Sequence, residues 1–178
     1  MGWFYRARQF WHALGAQPEP GMLRMASDLL SGAQMALFRG MQPSEQAHAL
    51  NVLARLLAQG EKQPDLLAAA LLHDCGKQLY PLNPLERAWI VVMQKLLPDR
   101  MCEWGRVERE TVSRLPIWRR PLAVAEQHPA WGAEMARQAG ASALLQALIY
   151  RHQEKSTSSS TNLEEALLSK LQAVDNES

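Results

Sequence analysis

Histidine and aspartate stand side by side at His73-Asp74, directly after the apolar run Leu66-Leu67-Ala68-Ala69-Ala70-Leu71-Leu72 and ahead of Cys75-Gly76-Lys77. A helix of that composition runs through a protein interior, so it carries an imidazole and a carboxylate inward. Burying such a pair without a partner is costly. A divalent first-row metal removes the cost, because neutral imidazole and carboxylate are both its ligands and adjacent residues at a helix end can converge on one ion. An Asp near a helix C-terminus also opposes the macrodipole and calls for compensation. Metal chemistry is therefore the first expectation for this chain.

Any further ligand must lie on an inward face as well. His48 precedes Val52 and Leu56 by one and two turns. His128 follows Val124 and Ala125, and His152 follows Leu148 and Ile149, by four and three residues, which hangs each imidazole from the end of an apolar face. Asp175 continues the stripe Leu167, Leu171, where a carboxylate is unexpected. His12, among Arg8, Gln9 and Ala16, reads as exposed. Taken singly, His128 and His152 are structural residues and Asp175 is a solvated one. Taken together, four histidines and two aspartates point inward from separate helices.

The elements that must position them are helical. Apolar residues recur at three and four with no alternating strand pattern, so the class is all-α. Asn83-Pro84-Leu85-Glu86 supplies an N-cap, a Pro at the first helical position and a capping-box Glu before the stripe Leu85, Ala88, Trp89, Val92, Met93, Leu96, which Pro98 closes. Asn162-Leu163-Glu164-Glu165 repeats the signature before Leu167, Leu171 and Val174. Other helices are expected to start near Ser44, Pro64, Pro121, Pro129 and Ser142. Gly76 and Gly140 stand where C-caps want glycine, and the stretch Ser156 to Thr161 reads as a polar loop.

A chain of 178 residues, 47% apolar, suits one compact domain. That domain is placed at residues 44–178, with residues 1–43 as a helical extension packed on it. Nineteen Lys and Arg against 18 Asp and Glu, a net charge of +1, give no general pull toward nucleic acid or an acidic membrane, so recognition is local and the partner a small molecule. Cys75 and Cys102 form no paired framework, which fits a reducing cytoplasm. The N-terminus lacks a signal-peptide apolar run and the Ser or Thr of a myristoylation site. Its Trp3, Phe4, Ala7, Phe10, Trp11 and Leu14 recur at helical spacing and favour packing on the domain over an interfacial membrane helix, so no stable membrane anchor is expected.

His48, His73-Asp74 and Asp175, in that order on a helical chain, resemble the H…HD…D signature of the HD superfamily of metal-dependent phosphohydrolases. Ala70-Leu71-Leu72-His73-Asp74-Cys75-Gly76-Lys77 resembles its ALLHDxGK block, and His128-Pro129-Ala130-Trp131-Gly132-Ala133 the HPxxGA block of members with extra histidines. Arg151-His152-Gln153-Glu154 is similar to the HHE element of the HD-GYP subgroup, with Gln153 in place of the second histidine and no GYP tripeptide following. The resemblance implies an HD-domain-like helical bundle. It also implies a divalent metal ion (Mn, Fe, Ni, Zn or Mg) held by His48, His73, Asp74 and Asp175, with His128 and His152 available to a second metal or to substrate. The implied activity is hydrolysis of a phosphate mono- or diester, with a nucleotide as the expected substrate, by a metal-bound water. Asp74 and Lys77 would be the catalytic groups, Lys77 as a point charge for the substrate's phosphate. The alternative is a weak or inactive HD domain serving as a ligand-binding or signalling module.

Overall fold

The computed structural model describes residues 20–154 and 162–177, so the aromatic N-terminal stripe and the Ser/Thr loop lie outside the described residues. Within them the chain forms nine α-helices: α1 (Pro20–Leu29), α2 (Gly32–Gly40), α3 (Pro43–Ala58), α4 (Pro64–Leu72), α5 (Pro84–Leu96), α6 (Pro98–Gly105), α7 (Arg120–Gln138), α8 (Ala143–Arg151) and α9 (Leu163–Glu177). Short 3-10 turns occupy Cys75–Leu79 and Arg109–Arg114. There is no strand among the described residues, and the fold is all-α.

Caps in the sequence set several helix starts. Asn83 and Glu86 form the expected reciprocal capping box of α5, and Ser31 with Gln34 makes another at α2. Ser142 caps α8 through the amide of Leu145. Helix α4, apolar on every side, is buried on every side from Leu66 to Leu72, as an all-round hydrophobic helix must be. Its core is shared with Phe38 of α2, Leu53 and Leu56 of α3, Leu148 and Ile149 of α8 and Leu171 of α9. Helices α5 and α6 and the Arg109–Arg114 turn cover the first half of α7 through Met93, Met101 and Val112.

Two expectations need correction. No helix begins at Pro129, because α7 runs unbroken from Arg120 through it. Proline has no N–H to give to Ala125 O, the carbonyl four residues back. The side chain of the preceding residue takes that place: His128 Nδ1 lies 3.1 Å from Ala125 O and 2.9 Å from Val124 O. Gly76 is not a left-handed C-cap either. His73 caps α4 with ordinary helical angles, and Gly76 lies in the 3-10 turn without positive φ. Its requirement is space: a Cβ there would fall 2.1 Å from His128 O and 2.8 Å from the Gly132 amide nitrogen. Gly76 and Gly132 thus let the turn after α4 touch the backbone of α7. Gly140, with φ of 76°, is the left-handed glycine the sequence suggests.

Candidate metal centre

Five helices deliver the six side chains to one place. His48 comes from mid-α3, His73 from the end of α4, Asp74 from the turn that follows, His128 from α7, His152 from the end of α8 and Asp175 from the last turn of α9. Their ligand atoms form two groups, His48 with His73 and Asp175, and Asp74 with His128 and His152; within each group they lie no more than 4.8 Å apart. His48 Nε2 is 2.7 Å and His73 Nε2 3.4 Å from Asp175 Oδ1. Asp74 stands between the groups, with Oδ2 3.7 Å from His73 Nε2, and Oδ1 3.2 Å from His128 Nε2 and 3.8 Å from His152 Nε2. The sequence placed Asp74 with His48, His73 and Asp175. Geometry turns one oxygen toward each group: Oδ1 is nearest His128, while His73 on the other side is about as close as His152.

The helix ends fix the imidazoles. Nδ1 of His73 faces Ala70 O at 3.1 Å, Nδ1 of His152 faces Ile149 O at 2.7 Å, and Nδ1 of His128 faces its two carbonyls as above. A carbonyl only accepts, so each Nδ1 carries the N–H, and in the neutral ring each Nε2 keeps its lone pair. Those lone pairs converge. His128 Nε2 and His152 Nε2 are 3.3 Å apart, and the buried His73 Nε2 faces Asp175 Oδ1 at 3.4 Å. Lone pairs gathered around two carboxylates fit a divalent first-row cation, whose donor set is imidazole nitrogen and carboxylate oxygen, and the carbonyl contacts hold each ring in the ligating tautomer.

Charge in the site follows from the same packing. Burial disfavours a charged His73, but Asp74 and Asp175 outweigh it and raise its pKa to about 9. Burial opposes ionisation of Asp74 too, yet Lys77 and His73, with His128, hold its carboxyl well below the usual range. Asp175 is likewise lowered against burial, by hydrogen bonds with His48 and His73. His152 is pushed down to about 3 by burial and by the neighbouring imidazoles, so it is neutral and free to ligate. Cys75, inside the motif, is driven up to about 12 by burial; it stays a thiol and donates weakly to Gly132 O at 3.6 Å.

A proton on His73 and a metal ion held by it would compete for one position. Metal binding below pH 9 should therefore release a proton, and affinity should rise with pH up to about 9; calorimetry in buffers of different ionisation enthalpy reads both. The metal-free fold gains from the raised His73 value below pH 6.5 and loses that gain as pH climbs through about 9. Its melting temperature should fall over that interval.

Lys77 touches more than the sequence suggests. Its Nζ lies 2.7 Å from Asp74 Oδ2, supplying the cation that an aspartate at a helix C-terminus needs, and 3.8 Å from Glu45 Oε2. Glu45 was not singled out in the sequence, although it precedes His48 by one turn. It is buried, and Arg87 Nη2 holds its other oxygen at 2.6 Å while reaching Gln42 Oε1 at 2.7 Å. Gln172 was missed as well. Its Nε2 donates to the carbonyls of Arg151, His152 and Glu154, tying α9 to the end of α8. The available signal was its place one turn after Leu168, on the apolar face of α9.

Pro129→Ala offers a check on ligand positioning. The restored amide would compete with His128 for Ala125 O, while the helix itself gains from losing a proline. Metal affinity should fall about 10- to 100-fold, the scale of losing an outer partner of a ligand, with the melting temperature unchanged or higher. Isothermal titration and thermal melting give the two numbers.

A helical bundle with two facing His/Asp groups defines a class of metal-binding α-proteins. A family model described as HD domain matches residues 46–177, and the chain belongs to that family, whose members are in general metal-dependent phosphohydrolases. Comparisons with curated proteins and with solved structures give no match. No described helix is long and apolar enough to cross a membrane.

Proposed function

We propose that this chain hydrolyses a small phosphate mono- or diester in the cytoplasm, with a nucleotide as the first substrate class to test. The observation that supports it is the pair of ligand groups with Asp74 between them, which suits clamping a phosphoryl group from two sides. His48, His73 and Asp175 would hold one divalent ion; Asp74, His128 and His152 are placed to hold a second, with Asp74 shared. Ions held there supply Lewis acidity toward water and toward a phosphoryl oxygen.

The protein's own groups do the rest. Asp74 fixes the centre through both oxygens. Lys77, a quarter exposed, stands at the solvent edge, where its ammonium turns from Asp74 to the substrate's phosphate. The amide of Gln153, 3.3 Å from His128 Nε2, offers a neutral donor where a further histidine would offer a ligand. Gln153 also favours the second reading, a ligand-binding or signalling module with little turnover. Residues 1–43 are proposed as an extension of the domain, since Ala26 and Leu30 of α1 and Met35 and Phe38 of α2 join the main core.

A screen with p-nitrophenyl phosphate and bis(p-nitrophenyl) phosphate, supplemented in turn with Mn, Fe, Ni, Zn and Mg, tests the enzyme. Hydrolysis with one of these metals, abolished by chelation, is the expected result. Lys77→Ala should keep its metal and lose about a hundredfold in rate, the scale of one preorganised contact to the transition state. No hydrolysis with any metal would leave the signalling module.

A further inference from the structure

A cavity of about 750 Å³ lies beside the Asp74, His128 and His152 group. Residues that follow the two histidines in the chain build part of its wall: Pro129 and Ala130 after His128, and Gln153 and Glu154 after His152. Gln153 belongs to both places, since it lines the cavity and its amide touches His128. The volume falls in the range of small-molecule sites. Gln153 is thus the link past which a phosphate ester at the His/Asp groups would extend into this room.

The wall restricts what that part can be. Among the described residues that line it, Glu108 and Glu126 face one cation, Arg106, which lies 3.7 Å from Glu126. Glu154 lines it too, and its partner Arg151 is shared with Glu164 and Glu165. Tyr150 adds a ring that is 55% exposed, suited to apolar contact or to a cation.

Resting on the phosphohydrolase reading, we propose that this cavity receives the alcohol part of the substrate and that Glu108 and Glu126 determine specificity. They select esters whose alcohol is neutral or cationic and reject alcohols carrying a carboxylate or a further phosphate. A nucleoside monophosphate is compatible with this; a triphosphate is disfavoured.

Three small esters differing in the charge of the alcohol part make the test: O-phosphoethanolamine, glycerol 3-phosphate and 3-phosphoglycerate. Calorimetric affinity for the Mn-supplemented full chain, and kcat/KM where turnover occurs, should fall in that order. The two ends should differ by about tenfold or more, because like charges brought together are strongly disfavoured. In Glu108→Gln Glu126→Gln the ratio should collapse toward one, with metal content and melting temperature kept. Equal affinities, a preference for 3-phosphoglycerate, no binding of any of the three, or an unchanged ratio in the variant would overturn the proposal. Failure to hydrolyse p-nitrophenyl phosphate with any metal counts instead against the phosphohydrolase reading, and the affinity order remains readable without turnover.

Discussion

Asp74→Asn should cost the protein its metal and its hydrolytic activity together. The substitution keeps the shape of the side chain but removes the charge that faces His73, His128 and Lys77 at 3.7, 3.2 and 2.7 Å. Losing an outer partner of a metal ligand typically costs 10- to 100-fold. Loss of a residue reaching both groups should exceed that, so activity should drop by more than about a hundredfold. Lys77 would keep Glu45 as a partner, and the variant should stay folded. Metal content by elemental analysis, hydrolysis rate and melting temperature, taken in parallel, separate loss of the centre from loss of the fold. Full metal-dependent activity in this variant would make the proposed chemistry wrong.

Gly76→Ala should be the most damaging single methyl addition near the centre. The new Cβ would meet backbone, His128 O and the Gly132 nitrogen, rather than a side chain that can swing away. Overpacking a tight site costs about 1–3 kcal/mol, and more where backbone must move. At the upper end, about 3 kcal/mol corresponds to a fall of roughly 6–12 °C in melting temperature for a chain of this size. Because the contact also sets how closely α7 approaches Asp74, metal affinity should fall with stability. An unchanged melting temperature would show that the turn and α7 can separate freely, against the packing described above.

Much of this architecture was legible in the chain. The all-α class, the capping boxes and the buried α4 follow from periodicity and from Asn83, Glu86 and the run from Leu66 to Leu72, because those signals are local and nothing in the tertiary structure competes with them. The inward placement of His48, His73, Asp74, His128, His152 and Asp175 was readable for the same reason: each stands one or two turns from apolar residues whose direction is known. The resemblance implies that Asp74 is shared when a second metal is present, but the distances from it to each group were not readable. Its grouping depends on how closely α7 approaches the turn after α4, and that distance is set by Gly76 and Gly132, which are 56 residues apart in the sequence. Pro129 misled for a related reason. Proline commonly starts a helix, and here a histidine ring supplies the missing bond, which requires knowing where His128 points. Glu45, Arg87 and Gln42 were invisible because charged and amide residues at helix starts are usually solvated, and only the meeting of α3 with α5 buries them.

The central claim is that these six side chains hold a divalent metal. Crystals of the full chain grown with Mn²⁺ and measured for anomalous scattering test it most directly. An anomalous peak is expected within coordination distance of His48, His73 and Asp175, with Asp74 in contact; any second peak would fall among Asp74, His128 and His152. An ordered centre with no peak at millimolar Mn²⁺, or a peak only at surface carboxylates while His73 and Asp74 stay bound to each other, would contradict it.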